Sequence, residues 1–267
     1  MASTTKHEPD VAFEPDASSL VLVTNDDGIE SPGLSALALE LESRGFEVLV
    51  AAPATNMSGA SAAIGPTDPH TPARRVAIPG LRGQAFAVHA PPAMIVIAAL
   101  NGAFGAVPTA VASGVNAGVN IGRAILHSGT VGAALTGQNL GLPSLAVSVE
   151  AGGSREVAAA CGVDEFIEIL DRPRPTLANV NVPASATIES ERVSVRLAKF
   201  GAVTAAITSE VLDFQLTIDP SALDEPGTDG AALHAGQIAI TRFSGFAGFD
   251  GGEAEVSLER VGSTTTA

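Results

Sequence analysis

The pattern of apolar and polar positions changes character near residue 183. Before it, short continuous apolar runs alternate with stretches of helical period. Leu20-Val21-Leu22-Val23 is an unbroken apolar run, the pattern of a strand buried on both faces. It stops at a polar loop, Thr24-Asn25-Asp26-Asp27-Gly28. Leu34, Leu37, Ala38 and Leu41 then repeat at helical spacing, with Ser31 as cap, Pro32 in the first turn and Gly45 at the end. Residues 46–52 predict the next strand, stopped by Pro53, so the unit is β-α-β with a parallel pair. Residues 109–112, 144–149 and 177–182 predict further strands. Helices are expected over 129–140, capped by Ser128, and from the Ser154 cap to Leu170, with Ala160, Val163, Ile167 and Leu170 on one face. The Pro-rich segment 66–82 reads as a loop or projecting arm. Residues 83–122 lack Asp, Glu, Lys and Arg and read as buried interior.

Beyond Pro183, Leu212, Phe214, Leu216 and Ile218 alternate with Asp213, Gln215 and Thr217, the period of a half-exposed antiparallel strand. Residues 193–197 and 237–241 are shorter strand candidates, and no helix is expected here. The fold class is α/β: a doubly wound, mostly parallel, Rossmann-like sheet with a smaller C-terminal β-rich extension. The expected organisation is a disordered leader over 1–18 and an α/β catalytic core over 19–183. Residues 184–267 form a β-rich extension and polar tail, either part of the same domain or an oligomerisation arm.

Composition narrows the function. With 267 residues and 46% hydrophobic content, the chain can build one sizeable core. A formal net charge of -15 without a basic run opposes a nucleic-acid polymer as partner, and 4% aromatics offer few stacking platforms. The single cysteine, Cys161, excludes an intrachain disulfide, and its helical apolar setting predicts a buried, inert thiol. No basic-then-apolar leader is present, and the densest apolar run, residues 93–100, is too short for a bilayer. The expected location is the cytoplasm, with no membrane partner.

Ligands of open α/β sheets bind at the carboxyl ends of the parallel strands. Three polar loops stand there: Asn25-Asp26-Asp27-Gly28, Asn56-Met57-Ser58-Gly59-Ala60-Ser61, and Ser113-Gly114-Val115-Asn116-Ala117-Gly118-Val119-Asn120. Each alone can be an ordinary turn; their joint placement points to a site. The donors are carboxylates, a hydroxyl and amide carbonyls, which suit a hard cation such as Mg²⁺ or Mn²⁺. Ser128-Gly129-Thr130 opens a helix, where N–H groups and hydroxyls favour an anion, although Ser128 is also accounted for as a plain N-cap. A haloacid dehalogenase-type phosphatase requires Asp-x-Asp and a distant lysine, but here the aspartates are adjacent and the only lysines are Lys6 and Lys199. The glycine fingerprints of dinucleotide and P-loop sites are absent.

These residues resemble the SurE family of metal-dependent nucleotidases. The resemblance covers residues 23–33, 52–61, 113–120 and the His-Ser-Gly-Thr-Val run at 127–131. It continues through Gly-Leu-Pro-Ser-Leu-Ala-Val-Ser at 141–148, Asn-Val-Asn-Val-Pro at 179–183 and Gly227-Thr228-Asp229. It implies one divalent cation per subunit, Mg²⁺ or Mn²⁺, held by Asp26, Asp27, Ser58 and Asn116. It implies Asp26 and Asp27 as the catalytic pair, and Asn25, Gly59, Asn120, Ser128, Gly129 and Thr130 around the phosphate. The implied reaction is hydrolysis of nucleoside 5′- or 3′-monophosphates, with short polyphosphate as a further substrate. The implied assembly is a homodimer or homotetramer. The chain departs from the family pattern at Ala54, Thr55 and Ala93, and has His127 where tyrosine is common. His127 is either an aid to the leaving group or a surface side chain. The alternative function is a weakened or inactive nucleotide- or metal-binding module on the same fold.

Overall fold

The computed structural model describes residues 19–65, 70–199, 203–207, 214–218 and 225–244. The leader expected over 1–18 and the tail beyond residue 251 lie outside the described residues.

Nine strands form one sheet in the order β3-β4-β2-β1-β5-β6-β7-β11-β8. They are β1 (Leu20–Thr24), β2 (Glu47–Pro53), β3 (Ala73–Val76), β4 (Gln84–Val88), β5 (Ala110–Ala117), β6 (Ser144–Val149), β7 (Leu177–Val182), β8 (Arg192–Ser194) and β11 (Ile238–Phe243). The six strands from β4 to β7 run parallel, while β3 pairs antiparallel with β4, β11 pairs antiparallel with β7, and β8 pairs parallel with β11. Strands β9 (Val203–Ile207) and β10 (Phe214–Ile218) form a separate antiparallel ribbon. The helices are α1 (Pro32–Ser43), α2 (Pro92–Leu100), α3 (Gly129–Asn139), α4 (Arg155–Leu170) and α5 (Asp229–His234).

Both faces of the sheet are covered, as the continuous apolar strands require. Val21 and Val23 of β1 pack with Leu34, Leu37 and Leu41 of α1 and Phe166 of α4. Leu22, between them, faces the other way and packs with Ile95 and Val96 of α2 and Ala133 of α3. The α/β class, β1, β2, β6, β7 and the helix starts at Gly129 and Arg155 all follow the apolar pattern. Ser128 and Ser154 cap as expected, their hydroxyls accepting the N–H of Val131 and Val157 at 3.1 and 3.2 Å. Cys161 is buried in α4, and burial pushes its thiol above the usual range. Among the described residues no helix is long and apolar enough to cross a membrane.

Several expectations need correction. Ser31 stands at the N-cap of α1, but its side chain makes no capping bond; Pro32, pre-set for the helix, opens it. The third candidate loop is not wholly loop, since β5 continues to Ala117 across a register shift between Ser113 and Asn116. The segment read as a loop or arm contributes β3, an exposed edge strand whose polar sequence hid it. Residues 84–88, read only as interior, form β4. After residue 183 a helix does form, α5, but six residues are too few to show a period. The shorter candidates there become β8 and β11, which join the main sheet through β7.

Candidate active site

From β1 the chain builds β2 and β4 on one side, then returns to build β5, β6 and β7 on the other. The crevice at the carboxyl ends of β1 and β5 is therefore the switch point where such sheets bind ligands. Asp26 and Asp27 follow β1, Ser58 follows β2, and Asn116 lies near the end of β5, so three adjacent strands bring the four together.

The first loop is shaped from within. Asn25 is fully buried, and its amide both donates to the Gly28 carbonyl and accepts the Gly28 N–H, each at 3.1 Å. The second loop is tied to the first, since Met57 N–H donates to the Asp26 carbonyl at 2.7 Å and Ile29 N–H to that of Pro53 at 2.8 Å. Ser58 N–H donates to Asn56 Oδ1 at 2.8 Å, and this turn leaves Ser58 and Gly59 exposed.

Asp26 is 4% exposed, and both its oxygens are held by the start of α3. Oδ2 accepts the Gly129 N–H at 3.1 Å, and Oδ1 accepts the Thr130 hydroxyl. The positive end of the helix dipole suits a carboxylate there. A Cβ at position 129 would stand 2.6 Å from Asp26 Cβ, so this contact requires glycine. Each Asp26 oxygen keeps a second lone pair, which a cation can use.

Asp27 is half-buried and more loosely held, its Oδ2 accepting the Ala117 N–H at 3.4 Å. Burial pushes its carboxyl above the usual carboxylate range. The Ala117 N–H lowers it, the Asp26 charge raises it, and the Arg155 guanidinium lowers it. Asn116 commits its amide nitrogen to the Gly118 carbonyl at 2.7 Å, which leaves Oδ1 as the end for a cation. The donor set of two carboxylates, a hydroxyl and an amide oxygen thus fits a hard divalent cation. Among the described residues no three His, Cys, Asp or Glu side chains cluster to hold a metal.

Asn120 is fixed by residues without an assigned role in the sequence reading. Its N–H donates to Asn181 Oδ1 at 2.7 Å, and its carbonyl accepts the amides of Asn179 and Asn181, both at 2.9 Å. Its own amide donates to Ser148 Oγ at 2.9 Å. Arg155, the first residue of α4, was also missed, although it follows the carboxyl end of β6 and strand position could have found it. Ala93 is fully buried in α2, Ala54 packs against the core, and Thr55 and His127 are exposed. Cavities of about 520 and 430 Å³ open elsewhere, beside Phe46 and beside Ser35, and include none of the four proposed ligands.

The family model described as survival protein SurE matches residues 21–206. The chain belongs to the SurE family. A 5′-nucleotidase SurE from Mannheimia succiniciproducens is 36% identical over 83% of this chain and 90% of its own. One from Symbiobacterium thermophilum is 41% identical over 62% of this chain and 66% of its own. The crystal structure of the SurE protein from Aquifex aeolicus superposes with a TM-score of 0.72 at 29% identity, covering 84% of this chain and 93% of that one. All four proposed ligands, and Ser128 to Thr130, fall inside the span matched by the SurE model.

Proposed function

We infer that this chain is a phosphoric monoester hydrolase that converts nucleoside 5′-monophosphates to nucleoside and phosphate with a divalent cation. One observation carries the reading: adjacent carboxylates at the switch point, one gripped by the start of α3, in a chain 36% identical to a protein named 5′-nucleotidase SurE.

Asp26, Asp27, Ser58 and Asn116 hold the cation, Mg²⁺ or Mn²⁺, one per subunit. When bound, it supplies Lewis-acid polarisation of the phosphoryl oxygen and offsets charge in the transition state. Asp26, fixed through both oxygens, serves as the rigid ligand. Asp27 has one weak tether, which leaves its carboxylate free to orient the attacking water beside the cation. Gly59 and the α3 start at Ser128, Gly129 and Thr130 line the phosphate, where the helix dipole and the Ser128 hydroxyl proton favour its oxygens while the Gly129 N–H and the Thr130 hydroxyl stay on Asp26. Asn25 shapes the first loop, and Asn120 presents the third.

The test is phosphate release from AMP, GMP and p-nitrophenyl phosphate with Mg²⁺, with Mn²⁺ and with chelator. The expected result is metal-dependent release that chelator abolishes, with nucleotides preferred. Release unaffected by chelator would remove the cation from the reaction. No release with any metal would favour a binding module.

A further inference from the structure

The Gly227-Thr228-Asp229 run has no part in the site described above. Yet Asp229 is fully buried, and its carboxylate accepts three backbone N–H groups. Oδ2 accepts that of Gly122 at 2.7 Å, and Oδ1 accepts those of Ala198 at 2.8 Å and Gly230 at 2.9 Å. A buried carboxylate is tolerated when such donors surround it. Here they come from three segments: its own helix, the stretch leading to β9, and the 3₁₀ turn Gly122–His127. Gly122 has φ +56°, and a Cβ there would lie 3.2 Å from the Ala198 carbonyl oxygen, so the three segments meet closely.

The turn runs through Ser128 directly into Gly129 and Thr130, which hold Asp26. It is anchored midway, where Ile125 is buried against Val131 and Ala134 and the Leu126 carbonyl accepts the Ser61 hydroxyl at 2.5 Å. Asp229 fixes the other end of this segment.

We propose that Asp229 is a positioning residue of the active site. By holding Gly122 it sets where residues 122–130 stand, and so how Gly129 and Thr130 grip Asp26. The same carboxylate ties that segment to the root of the β9–β10 ribbon through Ala198. The functional consequence rests on Asp26 as a metal ligand; the mechanical link does not.

Asp229→Asn isolates the link. The amide oxygen can replace Oδ1 for Ala198 and Gly230, while an NH₂ group faces the Gly122 N–H in place of Oδ2. Hydrogen exchange is followed on the full chain with chelator, comparing segments 122–132 and 155–170. The expected result is exchange at least about fivefold faster in 122–132 and unchanged in 155–170. Unchanged exchange in 122–132 would overturn the proposal. Gly122→Ala, which strains the same junction from its other side, is expected to act in the same direction and serves if the first variant does not fold.

Mn²⁺ titration of wild type, Asp229→Asn, Thr130→Val and the double variant adds a second readout. Each single change is expected to weaken binding about fivefold or more, and the double by clearly less than the two losses combined, because both act through Asp26. Additive losses would also overturn the proposal, since they mark a purely structural role. Failure of the wild type to bind Mn²⁺ would refute the metal reading of Asp26 and leave exchange to decide the mechanical link.

Discussion

Asp26 and Asp27 are adjacent in sequence but held differently, and their roles divide accordingly. Asp26 has a helix start and a hydroxyl on its two oxygens. Asp27 has one long contact and a carboxyl raised chiefly by burial from an ordinary 3.8. A carboxyl raised on folding contributes stability in its protonated form. That contribution is complete below the unfolded value and lost as pH rises through the folded value. At neutral pH without metal, ionised Asp27 is therefore a destabilising charge. Asp27→Asn should raise the melting temperature of the chelated protein at pH 7, with a gap that narrows toward pH 4. It should also abolish the rise that Mn²⁺ gives the wild type. Thermal melts with and without Mn²⁺ check both; a lower melting temperature for the chelated variant would mean that the charge is not strained.

At the scale of elements, β7 holds the third loop as well as the core. Val180 packs inside, while Asn179 and Asn181 point to the other face and clamp Asn120 through both its N–H and its carbonyl. Asn181→Ala leaves the half-buried N–H of Asn120 without its partner, while Asn179 still serves the carbonyl. It should cost about 1–3 kcal/mol in denaturant unfolding and raise KM more than it lowers kcat. An unchanged KM would detach the clamp from substrate binding. The same strand shows what the sequence made legible. Its position, like those of β1 and β6, followed from short, mostly apolar segments between turn signals, because strands buried on both faces carry few charges. Strand β3 escaped because an edge strand carrying Arg74 and Arg75 has no apolar signature, and β4 because it lies within a uniformly apolar stretch. The aspartate pair was legible from strand position. Asn179, Asn181 and Asp229 stood in recognisable motifs, but their roles lie in bonds to distant backbone, which leave no mark in local spacing.

Across the whole molecule, the late strands are joined to the core by charge as well as by the sheet. Arg242 of β11 makes paired contacts with the buried Glu165 of α4 at 2.5 and 2.6 Å and reaches Ser194 of β8 at 2.6 Å. Asp164 lies between Arg44 and Arg192, linking α1, α4 and β8. These contacts hold the region that carries Asp229 against the sheet that carries Asp26. The excess of 29 acidic over 14 basic residues disfavours phosphate polymers, so a local cation is what makes a phosphorylated substrate acceptable. We propose that Asp26 and Asp27 hold this cation for phosphate-ester hydrolysis. The most direct measurement is phosphate release from AMP under saturating Mn²⁺ by wild type, Asp26→Asn and Asp27→Asn, each verified as folded. Metal-dependent release by the wild type is expected, with a loss of about a hundredfold or more in each variant. Release by either variant at the wild-type rate would contradict that assignment.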